Sequence, residues 1–264
     1  MAFALITGAS GGIGLALARA LAARKHDVLL VARSRDLLEN HCKEIRLQYA
    51  VAAEFLVLDL ATPDAPSKLV DWVKDRKFGI DILINNAGFG YWGPLPDLPE
   101  QEFAGMIQLN MFTLASLCKA FVPMLKLQPK AYILNVSSTA AYQAVPTLSL
   151  YAATKSFVLS LSRGLRWELK GTTVSVSCLC PGPVTTGFIE RANLQAVKEK
   201  SEKFSMTPEA VAKAALKGLF AGKAEIIPGF TNWLSSKLAE IVPKGIPERI
   251  ARDLYKTTAK VTSS

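Results

Sequence analysis

The chain has 264 residues, of which half are hydrophobic and a fifth are charged, a balance typical of a globular protein with a large core rather than of a disordered chain. The formal net charge is +9; no run of five basic residues occurs, so the charge favours small anionic ligands and argues against a nucleic-acid partner. The four cysteines and two histidines lack a zinc-ligand spacing, which predicts no metal site and buried free thiols.

The N-terminus predicts neither a signal peptide nor a membrane span. Residues Met1 to Ile6 form a short apolar run that leads at once into a glycine loop. Such a run is too short for a signal-peptide core, and a span needs about 18 uncharged apolar residues in succession. We therefore expect a cytoplasmic protein.

Short apolar runs alternate with helical patterns along the chain. The runs predict strands buried on both faces, and they are Phe3–Ile6, Val28–Val31, Phe55–Leu58, Ile80–Ile84, Tyr132–Val136, Val174–Leu179 and a weak one at Glu225–Ile227. Helices are predicted at Ile13–Arg24, Asp64–Lys77, Leu114–Leu127, Tyr151–Lys170 and Thr207–Gly222. This alternation predicts an α/β fold: a Rossmann-like, doubly wound sheet of about seven parallel strands between two helix layers.

The end of the chain differs in composition from the rest. We expect residues 1–228 to form a single domain for dinucleotide binding and catalysis, and residues 229–264 to form a C-terminal helical tail or lid. Phe230, Leu234, Leu238, Ile241 and Val242 fall at near-helical spacing. Two interpretations stay open: a tail packed against the sheet, or a mobile cover whose basic, apolar face touches a lipid-like ligand or a membrane surface.

A glycine loop follows the first predicted strand and opens the first helix. Its sequence is Thr7-Gly8-Ala9-Ser10-Gly11-Gly12-Ile13-Gly14. Glycines in this position allow a tight turn and let backbone N–H groups approach a pyrophosphate at the helix N-terminus. The loop therefore predicts a dinucleotide site.

The second predicted strand ends in Arg33 rather than in an acid. An NAD site usually has Asp or Glu about 20 residues beyond the loop, bonded to the ribose hydroxyls. An arginine instead attracts a 2′-phosphate. Arg33 therefore favours NADP(H), although a solvated basic loop would also explain it.

Tyr151 and Lys155 lie four residues apart and share one helix face. A nearby ammonium stabilises a phenolate and lowers the pKa of the tyrosine from about 10. Such a tyrosine can pass a proton to or from a substrate oxygen near neutral pH. The pair by itself also fits an exposed lysine beside a half-buried tyrosine.

Together with further motifs in the same order, these features resemble the short-chain dehydrogenase/reductase family. The resemblance runs from Phe3 to about Phe188, and its further motifs are Asp59, Asn85-Asn86-Ala87-Gly88, Asn110, Ser138 thirteen residues before Tyr151, and Pro181-Gly182-Pro183-Val184-Thr185-Thr186. It implies an NADP(H)-dependent oxidoreductase of CH–OH groups that transfers the 4-pro-S hydride between NADPH and a carbonyl or alcohol. NAD(H) stays possible as the cofactor, and a homodimer or homotetramer is expected.

The resemblance also implies a role for each site residue. Tyr151 is the general acid/base, Ser138 binds the substrate oxygen, Lys155 holds the nicotinamide ribose, and Asn110 supports a water in a proton relay. The implied cofactor contacts are Gly8, Ser10, Gly12, Ile13, Gly14, Arg33, Ser34, Asp59, Leu60, Asn86, Ala87, Gly88, Tyr151, Lys155, Pro181, Gly182, Val184 and Thr186. In one departure, many NADPH-using relatives carry Lys or Arg where this loop has Gly11.

The substrate is the least determined part. Phe89, Tyr91 and Trp92, with Phe188 and Ile189, either line an apolar pocket or complete the core. A pocket would suit a ketoacyl chain, a sterol or a bulky ketone or aldehyde. Two alternatives to a reductase are an NADPH-binding redox sensor without turnover and an epimerase or dehydratase. The intact Ser138, Tyr151 and Lys155 set argues against a sensor, and the short chain argues against the epimerase or dehydratase.

Overall fold

The computed structural model describes residues 2–185 and 205–255, the side chains as far as Asp253. Seven parallel strands form one sheet in the order β3-β2-β1-β4-β5-β6-β7. The strands are β1 (Phe3–Thr7), β2 (Asp27–Ala32), β3 (Ala53–Val57), β4 (Ile80–Asn85), β5 (Ala131–Val136), β6 (Val174–Leu179) and β7 (Glu225–Ile226). The order reverses between β1 and β4, so the predicted doubly wound sheet is confirmed, with its crevice at the carboxyl ends of those two strands.

The connecting helices lie on both faces of the sheet. They are α1 (Gly12–Ala22), α2 (Arg35–Tyr49), α3 (Ala65–Asp75), α4 (Glu100–Ile107), α5 (Leu114–Leu125), α6 (Ser149–Glu168), α7 (Pro208–Phe220), α8 (Phe230–Ile241) and α9 (Gly245–Tyr255). Side chains of α1, α2 and α7 share one buried cluster with the sheet, and those of α3, α5 and α6 share a second cluster. The expected three-layer architecture is therefore confirmed.

Two helices were not predicted from the sequence. Helix α2 is rich in charge, but Leu38, Cys42 and Ile45 are buried along one side of it. Helix α4 continues through a π-helical segment, Gln108–Thr113, into α5. A π-helical turn inside an α-helix often marks a functional position, and here the turn contains Asn110.

The combined helical run Glu100–Leu125 is, among the described residues, the one helix long and apolar enough to cross a membrane by length and composition. Its α5 part packs on the sheet, where Leu117 and Phe121 are fully buried in the second cluster. This packing is typical of a helix that covers one face of a sheet and contributes side chains to the core.

All four cysteines are buried and free, as the sequence predicts. Cys178 and Cys180 lie on the same side of β6, with their Sγ atoms 3.8 Å apart. Burial raises the pKa of the Cys42 thiol to about 11 and that of Cys118 to about 12. These thiols are therefore neutral side chains of the core at physiological pH.

Residues 230–255 form two short helices, in agreement with the predicted helical tail. Helix α8 packs beside the turn Thr139–Tyr142, and Ala239 belongs to the second buried cluster. Helix α9 contributes Ala251 to a small cluster with Val145 and Leu148. The division into a domain and a tail at residue 228 stays a prediction.

Candidate active site

A cleft of about 410 Å³ lies at the carboxyl ends of the strands. Seventeen of the residues proposed from the sequence line it: Gly8, Ser10, Gly12, Ile13, Arg33, Ser34, Asp59, Leu60, Asn86, Ala87, Gly88, Ser138, Tyr151, Lys155, Pro181, Gly182 and Val184. Residues that are far apart in the chain therefore meet in one cavity. Thr186, Phe188 and Ile189 lie outside the described residues.

The glycine loop is built by close packing against β4. The backbone of Gly8 has φ +67°, in the region that favours glycine, and an added Cβ would lie 2.9 Å from the Cα of Ala87. Gly14 does not line the cleft; its Cβ would lie 2.3 Å from the carbonyl oxygen of Gly8. Gly14 is therefore required by the packing of α1 on the loop, and a direct cofactor contact stays a prediction.

Asn86 fastens this loop to the neighbouring strand. Its side-chain amide donates to the carbonyl oxygens of Thr7 at 2.9 Å and Gly8 at 3.1 Å. The Thr7 hydroxyl accepts from the backbone N–H groups of Asn86 and Ala87. The amide of Asn86 is thus engaged in shaping the loop, while the residue also lines the cleft.

One edge of the cleft is formed by residues that follow β2 and β3. Arg33 is exposed directly after β2, and Ser34 occupies the N-cap position of α2 without a capping hydrogen bond. Asp59 holds its own turn, because its carboxylate accepts from the backbone N–H of Ala61 at 3.0 Å. Buried Leu60 is fixed from below by Thr113, whose hydroxyl donates to the Leu60 carbonyl oxygen at 2.8 Å.

Lys155 is buried at the centre of the cleft wall. Its Nζ donates to the carbonyl oxygen of Val136 at 3.1 Å and lies 5.6 Å from the centroid of the Tyr151 ring. Burial lowers the pKa of Lys155 to about 8 from its usual 10.5. An ammonium that gives up its proton near neutral pH suits proton transfer better than an exposed lysine would.

Ser138 enters the cleft from the end of β5. Its hydroxyl oxygen accepts from the backbone N–H of Ala140 at 3.1 Å, which fixes the start of the turn Thr139–Tyr142. The neighbouring Ser137 donates to the carbonyl oxygen of Lys155 at 2.7 Å and ties this turn to α6. The two elements that carry Ser138, Tyr151 and Lys155 are therefore held together directly.

Asn110 lies behind the cleft and does not line it. Its amide nitrogen donates to the carbonyl oxygen of Phe89 at 2.8 Å and to the Thr154 hydroxyl at 3.1 Å. Its Oδ1 accepts from the backbone N–H of Phe89 at 3.1 Å. The side chain therefore ties the segment that follows β4 to α6, and its part in a proton relay stays a prediction.

Several lining residues were not proposed from the sequence. They are Gly11, Ala32, Leu58, Ala61, Leu109, Val136 and Ser137, whereas Phe89, a pocket candidate named from the sequence, also lines the cleft. Ala32, Leu58 and Val136 lie at or just beyond the carboxyl ends of their strands, which is where ligands bind in open α/β sheets. That rule could have identified these three, since their residue types carry no signal of their own.

The cleft fits a dinucleotide with a nicotinamide. The glycine loop and the N-terminus of α1 form one wall of the cleft and could bind a pyrophosphate, and Arg33 lines the same cleft. Gly11 lines the cleft, and a Cβ on it would meet nothing within 4 Å. This leaves open space where a ligand would lie. Among the described residues, no cluster of three or more His, Cys, Asp or Glu side chains could hold a metal ion.

The apolar side of the site surrounds Tyr151. Val145, Leu148, Ala152 and Ala251 form a buried cluster, against which Trp92, Ala140 and Tyr151 pack. Phe89 is buried and lines the cleft. Phe89 therefore lines the cleft, whereas Trp92 packs against this small buried cluster.

Comparison with known proteins identifies the family. The short chain dehydrogenase family model matches residues 2–196. A very-long-chain 3-oxoacyl-CoA reductase of Anas platyrhynchos is 32% identical over 247 residues, 90% of this chain and 76% of the relative. A putative ketoacyl reductase of monensin polyketide synthase from Streptomyces virginiae is 35% identical over 190 residues, 71% of this chain and 72% of the relative.

A solved structure agrees over the full length. The short-chain dehydrogenase from Sphingobium yanoikuyae in complex with NADPH superimposes with a TM-score of 0.81 at 28% identity, covering 100% of this chain and 99% of that one. The residues that line the cleft lie within both the family match and the superimposed fold. The chain therefore belongs to the short-chain dehydrogenase family and is an oxidoreductase that acts on CH–OH and carbonyl groups.

Proposed function

We propose that this protein is an NADP(H)-dependent reductase of hydrophobic carbonyl compounds, with 3-oxoacyl thioesters as the first substrate class to test. The observation that carries the proposal is the meeting of Ser138, Tyr151 and Lys155 with the glycine loop and Arg33 in one cleft. A redox sensor has no need for the first three residues, and their presence beside the loop favours turnover.

The cofactor, when bound, supplies the hydride, and the protein supplies position and a proton. The Ser138 hydroxyl donates to the substrate oxygen and stabilises the negative charge that develops there. The Tyr151 hydroxyl donates its proton to that oxygen, so that the carbonyl becomes an alcohol. In the oxidative direction, Tyr151 accepts the alcohol proton.

Lys155 is proposed to bind the nicotinamide ribose and to stabilise the Tyr151 phenolate. Its Nζ is buried and close to the tyrosine ring, so that its charge acts through little solvent. A proton from solvent then reaches Tyr151 by way of the water that Asn110 supports and of Lys155, as the family resemblance implies.

Arg33 is proposed to select NADP(H). It is exposed at the edge of the cleft that follows β2 and β3, where a guanidinium can bind a 2′-phosphate through two parallel hydrogen bonds. The NADPH complex of the similar Sphingobium yanoikuyae protein supports this choice.

Two observations support a hydrophobic substrate. The names of the two sequence relatives describe ketoacyl and 3-oxoacyl-CoA reductases. In addition, Tyr151 packs against a small apolar cluster that contains Val145 and Leu148. An apolar wall beside a few polar groups is the usual form of a small-molecule site.

The test is an initial-rate assay with NADPH and NADH across a panel of carbonyl compounds. The panel contains 3-oxoacyl-CoA thioesters of increasing chain length, a ketosteroid, a bulky aromatic ketone and acetone. We expect NADPH to be preferred and kcat/KM to rise with chain length. Faster turnover of acetone than of every hydrophobic member would contradict the substrate class, and a preference for NADH would contradict the role of Arg33.

A further inference from the structure

Helix α8 packs on the protein with its small and polar side chains. Ser236 is 3% exposed and Ala239 is 4% exposed. Asn232 lies on the same side, since its amide donates to the carbonyl oxygen of Pro228 at 2.9 Å and its side chain fills the space beside Gly182. An ordinary surface helix buries its large apolar side chains, whereas α8 buries small and polar ones.

The large apolar side chains of α8 point away from the protein. Phe230, Leu234, Leu238 and Ile241 follow each other at spacings of four, four and three residues, so they share one side of the helix. Phe230 is 73% exposed and Ile241 is 80% exposed. Trp233 flanks them, with its ring stacked on Phe230 at a centroid distance of 5.9 Å.

Helix α9 extends the same exposed surface. Ile246 and Ile250 are exposed one turn apart, while Ala251 is buried against the cluster beside Tyr151. Of the thirteen exposed large hydrophobic side chains in the described part of the chain, seven lie between residues 230 and 250. We name these seven the apolar stripe: Phe230, Trp233, Leu234, Leu238, Ile241, Ile246 and Ile250.

The base of the stripe is fixed to the body of the protein. Glu225 at the sheet edge pairs with Arg163 of α6 and with Lys237 of α8. Glu240 joins the same network through Lys237 at 2.8 Å. These pairs hold α8 in place, so the stripe is presented on a fixed helix.

Positive charge accompanies the stripe. Lys244 and Arg249 are exposed between and beside the two stretches of the stripe. The nearby carboxylate Glu240 pairs with Lys237, and Asp253 pairs with Arg252; Glu248 is the remaining acid of α9. From residue 229 to the end, the sequence has six basic and three acidic residues.

We propose that α8 and α9 dock on the surface of an anionic lipid bilayer. The apolar stripe enters the boundary between headgroups and acyl chains, and Lys244 and Arg249 contact lipid phosphates. Exposed Trp, Phe, Leu and Ile beside Lys and Arg form the pattern of helices that lie in a membrane interface. A second copy of the chain would bring these cations against their own counterparts, whereas an anionic surface neutralises them.

This docking places the substrate side of the cleft near the bilayer. Helix α8 lies beside the turn that begins after Ser138, and α9 packs in the cluster that contacts Tyr151. The proposal does not depend on the reaction, because it rests on the surface alone. A protein inactive toward every carbonyl compound would still be expected to bind the bilayer.

The experiment is flotation of the full-length protein with vesicles of phosphatidylcholine, with and without phosphatidylglycerol. The test variant combines Leu234→Gln, Leu238→Gln and Ile241→Gln. The matched control combines Leu47→Gln and Leu127→Gln, because these leucines are 90% and 83% exposed and lie outside the stripe. A third variant combines Lys244→Glu and Arg249→Glu.

We expect the wild type and the matched control to float with the anionic vesicles. The triple variant should partition onto the anionic vesicles at least about tenfold more weakly, because three apolar side chains no longer enter the interface. The charge variant should lose the preference for phosphatidylglycerol, and added salt should have the same effect on the wild type.

Three results would overturn the proposal. The first is absence of wild-type binding to the anionic vesicles, and the second is equal binding by the triple variant and the matched control. The third concerns the oligomeric state, measured by light scattering during size exclusion. If the wild type is a dimer, the triple variant is a monomer and neither protein binds vesicles, the stripe is an interface with a second copy of the chain. Circular dichroism of each variant shows that it is folded.

Discussion

The cleft and the two C-terminal helices differ in which side chains they bury and which they expose. Around the cleft, apolar side chains of the strands point inward, and the polar groups of Thr7, Asn86 and Asn110 are bonded to other parts of the protein. On α8, Ser236 and Ala239 are inside and Ile241 is outside. The comparison teaches that the first region is shaped by its own packing, while the second leaves its large apolar side chains uncovered, which is the basis of the proposed docking.

The largest expected effect concerns the proton donor of the cleft. Tyr151→Phe should lower kcat by about 10²–10⁴-fold, because it removes the general acid and keeps the ring that packs against the small apolar cluster. The dissociation constant for NADPH, measured by nicotinamide fluorescence, should change little. Unchanged kcat would assign the proton to another group.

Arg33→Ala should weaken NADPH binding by about 10- to 100-fold, the usual effect of losing a charge-assisted hydrogen bond. NADH binding should stay the same, because NADH has no 2′-phosphate. Arg35→Ala is the matched control, since Arg35 is exposed two residues later and does not line the cleft. Equal losses for both cofactors would show that Arg33 acts on the fold of the loop.

The buried ammonium of Lys155 predicts a pH dependence of the reduction rate. Its pKa is lowered to about 8 by burial, so the cation is lost as the pH rises through about 8. The rate of carbonyl reduction at saturating NADPH should therefore fall above that pH, provided that Lys155 acts as proposed. A rate that stays constant up to the usual lysine range near pH 10 would contradict a role for the Lys155 charge.

The same residue should make the free energy of unfolding rise over the pH range in which the reduction rate falls. The pKa of Lys155 is lower in the folded than in the unfolded chain, so its burial costs stability below pH 8, and this cost is relieved as the pH rises toward 10.5. Lys155→Met should thus abolish activity without lowering the denaturation midpoint at pH 7. A clear loss of stability at that pH would mean that its bond to Val136 outweighs the cost of burying the charge.

The two sides of α8 should differ in their contribution to folding. Ala239→Leu should lower the free energy of unfolding by about 1–3 kcal/mol, because the inward face is closely packed. Leu238→Gln, one residue earlier and exposed, should change it by less than about 0.5 kcal/mol. Urea denaturation measures both, and equal effects would mean that Leu238 is covered by another part of the chain.

Much of the sheet could be predicted from sequence because its strands are continuous apolar runs buried on both faces. Helix α2 was missed since its many charges hide the buried series Leu38, Cys42 and Ile45. Most cleft residues with polar or glycine side chains were predicted, although Gly11 and Ser137 were not. Ala32 and Val136 were missed because they contribute position and no distinctive chemistry.

The orientation of α8 could not be predicted from its pattern. The spacing of Phe230, Leu234, Leu238 and Ile241 indicates a helix with one apolar side, but periodicity does not state which side faces the protein. That choice depends on the inward contacts of Asn232 and Ala239 with residues distant in the chain. The same dependence on distant contacts places Asn110 behind the cleft.

The most direct test of the central proposal is a single-turnover experiment on the wild-type protein loaded with one equivalent of NADPH. Mixing with a long-chain 3-oxoacyl-CoA should remove the nicotinamide absorbance and yield the 3-hydroxyacyl thioester in equal amount. Bound NADPH that persists through the whole carbonyl panel would contradict the proposed reductase and favour an NADPH-binding sensor.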